Sequence, residues 1–276
     1  MTSFNAKPEH GVVWITGASS GIGRALALEM ARRGYTVAAT ARDHDRLVEL
    51  QEEAGALKGA IHVLDGDVTE RQDMERVIAS IEYEHGRIAL AVFNAGIFEM
   101  AKPGVELRRA FEKSIAVNLT GVVNCLVPAL RHMQTYSHGQ IAFMGSAAGY
   151  AGLPGSAAYG ATKAALINMA QSLALDLEGS GIFVQLINPG FVETPMTASM
   201  RTLAAGRITA EEAARRIADG LQGHAFEIAF PRRQAFAAKL LGILPYALYF
   251  PLLRWLRGKS VARQPKSVES TLHAAE

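Results

Sequence analysis

The chain has 276 residues, 49% apolar and 20% charged, with a formal net charge of +2. That balance gives a globular protein with a sizeable core and excludes a disordered chain. Lys and Arg form no block before the C-terminal region, so the charge leaves no footprint for nucleic acid.

Residues 1–11 carry one Lys and no apolar h-region, so no signal peptide and a cytoplasmic location are expected. Val12–Thr16 reads as a buried strand. Directly after it, Thr16-Gly17-Ala18-Ser19-Ser20-Gly21-Ile22-Gly23 opens a helix over 22–33, closed by Gly34. A dinucleotide's pyrophosphate needs bare backbone N–H groups and the positive end of a helix, and side chains would block its approach. Gly17, Ser19, Ser20, Gly21, Ile22 and Gly23 are therefore candidate cofactor contacts. The spacing is TGxxxGxG, not GxGxxG, and glycines alone could equally make a tight strand-to-helix turn.

The next strand, 35–40, leads into Ala41-Arg42-Asp43. A fold selective for NAD places an acid there, where its carboxylate accepts from the ribose 2′-hydroxyl. Here Arg42 can instead pair with a 2′-phosphate, so NADP(H) is expected over NAD(H), with Asp43 as N-cap of a helix over 43–54. Further strands are expected at 61–64, 88–93, 140–144, 183–187 and 226–230, and helices at 71–84, 107–133 and 157–177. Apolar strands separated by helices imply an α/β fold, a doubly wound parallel sheet of Rossmann type covered on both faces. Ligands then bind beyond the carboxyl ends of the strands. The single cysteine, Cys125, lies in an apolar run and reads as a buried inert thiol. His44, His62, His85, His132 and His138 show no metal-ligand spacing, so no metal is expected.

Tyr159 and Lys163, four residues apart, share one helix face. Their helix follows a strand ending at Ser146, so the three can meet at the carboxyl edge of the sheet. Carbonyl reduction needs a proton donor beside the developing alkoxide, and a free tyrosine, with a pKa of about 10, is a weak one. A neighbouring ammonium favours the phenolate and lowers that value, and Lys163 can supply it while holding the nicotinamide ribose. The Ser146 hydroxyl can donate to the substrate oxygen.

Over residues 12–196 the chain resembles the short-chain dehydrogenase/reductase family. The motifs run in family order: Thr16 to Gly23, Asp67-Val68, Asn94-Ala95-Gly96, Asn118, Ser146, Tyr159 with Lys163, and Pro189-Gly190. Phe93 departs from the asparagine often found there, which should alter packing and not chemistry. The resemblance implies a catalytic tetrad of Asn118, Ser146, Tyr159 and Lys163. It implies that Asn118 kinks its helix and fixes a water leading from Lys163 to solvent; a plain helix-capping role is the alternative. Asp67 and Val68 are implied to contact adenine, and Asn94, Ala95 and Gly96 to line the cofactor and buttress the sheet. Beyond Pro189 and Gly190, the Val192 backbone and the Thr194 hydroxyl are implied to grip the carboxamide and so select the nicotinamide face. The resemblance implies pairing of copies through the helix at 157–177 and the helix before it; the former is apolar nearly all round over 164–170, as an interface helix should be, so a homodimer or homotetramer is expected.

The expected function is interconversion of ketones and secondary alcohols with NADP(H), or the same chemistry on lipid or long-chain carbonyls at a membrane surface. A non-catalytic NADP(H) sensor or scaffold is a further alternative, and it has no need of Ser146, Tyr159 and Lys163 together. Ala148, Tyr150, Leu153, Phe191, Met196 and Met200 are candidate substrate contacts and suggest apolar, bulky substrates, though the same side chains could simply pack the fold. A catalytic domain is expected over 1–230, with a variable substrate segment at 195–223. An apolar extension follows at 231–260, then a polar, mobile tail at 261–276. Within the extension, residues 240–253 give 14 uncharged positions, interrupted by Pro245 and Pro251. A spanning helix needs about 20 apolar residues, so two short helices broken near Pro245 are expected instead. They should form a lid over the pocket or a subunit interface; a contact with a membrane surface through 232–259 and plain packing are the alternatives.

Overall fold

The computed structural model describes residues 4–101, 104–200 and 207–262, without the side chains of 199–200 and 257–262. The expected Met200 substrate contact and the tail at 263–276 lie outside what it describes. Its centre is a seven-stranded parallel sheet ordered β3-β2-β1-β4-β5-β6-β9. In chain order β1 is Val12–Thr16, β2 Thr36–Thr40, β3 Ala60–Val63, β4 Ile88–Phe93, β5 Gly139–Met144, β6 Ile182–Pro189 and β9 Glu227–Phe230. A two-stranded ribbon, β7 (Val192–Glu193) with β8 (Ile208–Thr209), stands apart.

Every residue of β1, β4 and β5 is buried, as strands covered on both faces must be. One core cluster joins the sheet to α1 (Gly21–Arg32), α2 (His44–Glu53) and α7 (Ala210–Leu221). The other joins it to α3 (Arg71–His85), α5 (Gly121–Tyr136) and α6 (Ala157–Asp176). The chain winds outward through β1, β2 and β3, then restarts at β4 on the other side of β1. That reversal leaves a crevice beyond the carboxyl ends of β1 and β4, which positions the site.

Phe93 lies at the centre of the second cluster. Its ring meets Trp14 edge-on at 6.0 Å and Phe143 at 5.5 Å. An apolar residue at this position therefore extends an aromatic stack under the sheet.

The expected helix at 107–133 is interrupted. It forms as α4 (Val105–Ile115), a π turn (Ala116–Thr120) and α5. The periodicity of the sequence is continuous across this break, because a π turn adds one residue without removing apolar ones. Helix α7 was not expected. Its N-cap is Thr209, whose hydroxyl accepts from the Glu212 amide at 3.2 Å, and its Ala213, Ala214, Ile217 and Leu221 are buried in the cluster shared with α1. Beyond β9, α8 (Arg232–Gly242) and α9 (Tyr246–Ala262) separate just before Pro245 and at it, as a proline that cannot continue a helix requires.

Candidate active site

A cleft of about 680 Å³ opens at the crevice between β1 and β4. Its floor is the turn after β1. Gly17 adopts φ +69°, and a Cβ there would lie 2.8 Å from the Ala95 Cα. A Cβ on Gly23 would lie 2.3 Å from the Gly17 carbonyl oxygen. Both clashes are with backbone that cannot swing aside, so only glycine fits. Asn94 braces the turn: its Nδ2 donates to the carbonyls of Thr16 (2.9 Å) and Gly17 (3.2 Å). The amides of Asn94 and Ala95 both donate to Thr16 Oγ1, at 3.1 Å. Ser19, Ser20, Gly21 and Ile22 line the cleft where α1 begins, while Gly23 is buried beneath them. Unblocked N–H groups at a helix N-terminus, in a cradle that side chains would fill, fit a dinucleotide's pyrophosphate.

The far end of the cleft is charged. Arg42 Nη1 lies 3.6 Å from Asp67 Oδ2. Asp67 Oδ1 is held by the amide and hydroxyl of Thr69, at 2.9 and 2.8 Å. Asp43 caps α2, accepting from the Arg46 amide at 3.2 Å. Arg46 also lines this end and escapes the sequence reading, although a second arginine within one helical turn of Arg42 was there to be noticed. Val68 is buried, its side chain pressed toward Gly121 at the start of α5.

At the near end, Tyr159 and Lys163 come from α6 and line the same cleft as Asn94, Ala95 and Gly96. Lys163 is buried, its Nζ donating to the Met144 carbonyl at the end of β5 (2.7 Å) and standing 5.6 Å from the Tyr159 ring centroid. Burial lowers the Lys163 ammonium from 10.5 to about 8. Burial likewise raises the Tyr159 phenol, and a hydrogen bond with Ser146 pulls it the other way. Desolvation outweighs that bond, so the Tyr159 pKa is raised, against the lowering expected from Lys163. Ser146 Oγ also accepts from the Ala148 amide at 3.2 Å.

Asn118 sits in the π turn, fully buried. Its Oδ1 accepts from the Ile97 amide (2.8 Å), and its Nδ2 donates to the Ile97 carbonyl (3.0 Å) and Thr162 Oγ1 (3.1 Å). It thereby ties the loop after β4 to α6, one residue before Lys163. Phe98, on the same loop, sets its ring edge-on to Tyr159 at 5.1 Å. No sequence pattern marked Phe98.

Pro189, Thr194 and Met196 complete the cleft. Val192 is buried, with its carbonyl taken by Thr197 Oγ1 at 2.6 Å, and Gly190 lies against Gln234 of α8. The other expected substrate contacts disperse. Tyr150 and Leu153 line a second cavity with α9, and the Phe191 carbonyl accepts from the Ile208 amide at 3.3 Å. Cys125 is buried, and its thiol pKa is raised by desolvation. Among the described residues no group of three or more His, Cys, Asp or Glu could hold a metal.

The family model described as short chain dehydrogenase matches residues 11–204. The chain belongs to the short-chain dehydrogenase family. It is therefore an oxidoreductase, and its sheet is the Rossmann-type sheet of that family. An uncharacterized oxidoreductase of Myxococcus xanthus is 33% identical over 88% of this chain and 96% of its own length. The 3-oxoacyl-[acyl-carrier-protein] reductase FabG of Thermotoga maritima is 37% identical over 67% of this chain and 76% of its own. Among solved structures, a short-chain dehydrogenase from Sphingobium yanoikuyae in complex with NADPH superposes with a TM-score of 0.73. It is 26% identical, covering 94% of this chain and 98% of that one.

Burial of Lys163 has a measurable consequence for stability. The folded state holds this ammonium at about 8 against an ordinary 10.5, so the full penalty applies below pH 8. Between those values the unfolded chain binds the extra proton, and stability rises with pH. Relative to Lys163→Met, the wild type should therefore gain about 3 kcal/mol between pH 8 and pH 10.5. Urea denaturation of both proteins at several pH values checks this. Parallel stability curves would contradict it.

Proposed function

We propose that the protein interconverts ketones and secondary alcohols with NADP(H), using Tyr159 as acid and base. The observation that carries this reading is the joint placement of Tyr159 and the buried Lys163 at one end of a cleft whose other end fits a dinucleotide. When bound, the nicotinamide supplies the hydride in reduction and accepts it in oxidation. Ser146 Oγ donates to the substrate oxygen, and Tyr159 Oη delivers a proton to it as negative charge develops. The Lys163 ammonium favours the phenolate left behind and holds the ribose. Asn118 positions this end of the site through Ile97 and Thr162.

The cofactor is NADP(H). The Sphingobium structure contains NADPH, and the closed form of a serine dehydrogenase complexed with NADP+ superposes with a TM-score of 0.73 at 27% identity, covering 79% of this chain. In this chain Arg42 and Arg46 line the end of the cleft beyond β2 and can pair with a 2′-phosphate, and no acid ends β2, which supports NADP(H) over NAD(H). A ketone as acceptor agrees with the Thermotoga relative, whose named substrate is a 3-oxoacyl group. Phe98, Ile97 and Met196 beside Tyr159 favour an apolar substrate. Pairing of copies would use the outer faces of α5 and α6, where Val123, Val127 and Leu175 are exposed.

Tyr159→Phe should leave NADPH affinity within a few-fold of wild type and lower kcat by about a hundred- to ten-thousand-fold. Near-normal turnover in the purified variant would refute the assignment. A non-catalytic sensor would show no NADPH oxidation with any carbonyl, so a panel of ketones separates the two classes. Arg42→Ala and Arg46→Ala should each erode the preference for NADPH over NADH, and the double variant should erode it most. The ratio of kcat/KM for the two cofactors is the readout, and an unchanged ratio in the double variant would count against the phosphate site.

A further inference from the structure

The C-terminal helices α8 and α9 are built unlike the rest of the molecule. Among residues 232–256, only Ala235 and Tyr249 are buried. Ile243 is 79% exposed and Tyr246 77%, and Phe236, Leu248, Phe250 and Trp255 are each more than half exposed. So many exposed apolar side chains on two successive helices need a cover. The helices are anchored to the domain at a few points. Lys239 pairs with Glu227 of β9 and sits 5.3 Å over the Tyr150 ring, and Tyr249 donates its hydroxyl to the Gly152 carbonyl. The cleft holding Tyr159 is lined by no described residue of α8 or α9.

Charge identifies the cover. Between positions 232 and 266 the sequence holds eight Lys or Arg and no Asp or Glu. The chain has 28 basic and 26 acidic residues in all, so the remainder carries 20 basic against 26 acidic and is net negative. A second copy of this chain would bring the same positive charge to the same face and be repelled. An anionic bilayer surface attracts it, at about 1 kcal/mol per basic residue near the headgroups. Exposed tyrosine and tryptophan with flanking arginines suit the headgroup boundary. Neither helix is long and apolar enough to span: among the described residues the one helical run that is so is Val105–Tyr136, which covers the sheet.

We propose that α8 and α9 dock the protein onto the surface of a bilayer containing anionic lipid. Docking seats α9 against the membrane. The cavity of about 570 Å³ that α9 shares with Tyr150, Leu153 and Pro154 then lies beside the lipid. The proposal does not depend on the reaction assigned to Tyr159.

Vesicle flotation of the full chain tests it, with phosphatidylcholine alone and with phosphatidylcholine mixed with phosphatidylglycerol. Binding is expected to the mixed vesicles, much less to the neutral ones, and to weaken as salt is raised. Reversing three exposed charges (Arg232→Glu, Arg233→Glu, Arg254→Glu) should weaken partitioning by about a hundred-fold or more. Ile243→Ser with Phe250→Ser should also release the protein from vesicles. NADPH binding by each variant, expected unchanged, shows that the domain is folded. Equal binding to both vesicle types, or binding to neither, overturns the proposal. So does sedimentation showing that the wild type self-associates through this face and that the serine variant is a monomer.

Discussion

The site depends on one costly placement, an ammonium held inside the protein. Lys163 is 3% exposed, and its Nζ donates to a backbone carbonyl; among the described residues no carboxylate pairs with it. A buried cation without a counter-ion loses its hydration, and the fall of its pKa to about 8 measures that loss. Nothing in folding rewards this, so the surroundings must hold it there. β5 delivers the Met144 carbonyl, and α6 fixes the Lys163 backbone. The loop after β4 closes over the pair, with Gly96 so near that a Cβ there would stand 3.6 Å from Nζ. Asn118 locks that loop with both ends of its amide, from a π turn that widens the helix at the point where the loop must approach. Under the proposed mechanism, the same charge biases the Tyr159 proton.

The other end of the cleft follows a different logic. There the structure spends glycine and backbone instead of charge. Gly17 and Gly23 leave no room for a Cβ, and Asn94 replaces missing side-chain packing with hydrogen bonds to two successive carbonyls. The cations Arg42 and Arg46 stay solvated at the rim, with side chains 71% and 58% exposed. A solvated arginine can meet an anionic ligand without first giving up a buried partner.

Much of this was legible in the residues. The strands were readable because a sheet covered on both faces needs uninterrupted apolar runs, and Val12–Thr16 and Ile88–Phe93 are such runs. Gly17, Asn94, Tyr159 and Lys163 announce themselves because few residue types satisfy their geometry, and the structure gathers all four at one cleft. The apolar pattern runs straight through 116–120 and gives no sign of the π turn; only the kink that the resemblance implies at Asn118 points to this stretch. Helix α7 could have been read from Thr209 and Glu212. The substrate wall was least legible. Tyr150 and Leu153 follow Ser146 closely in sequence, yet the short turn at Ala147–Gly149 carries them toward α9, while Phe98, remote in sequence from both, meets Tyr159.

Under the proposed function the buried Lys163 governs proton delivery by Tyr159, and the pH dependence of kcat/KM for carbonyl reduction reports this control. That parameter reports the ionisations of the free enzyme. With Lys163 charged below about 8, the phenol is the stronger acid; once the ammonium is lost, the phenol weakens as a donor. The account predicts a profile that is level on the acid side and falls as pH rises through about 8. A profile that stays level well above that value, or rises through it, would contradict the account.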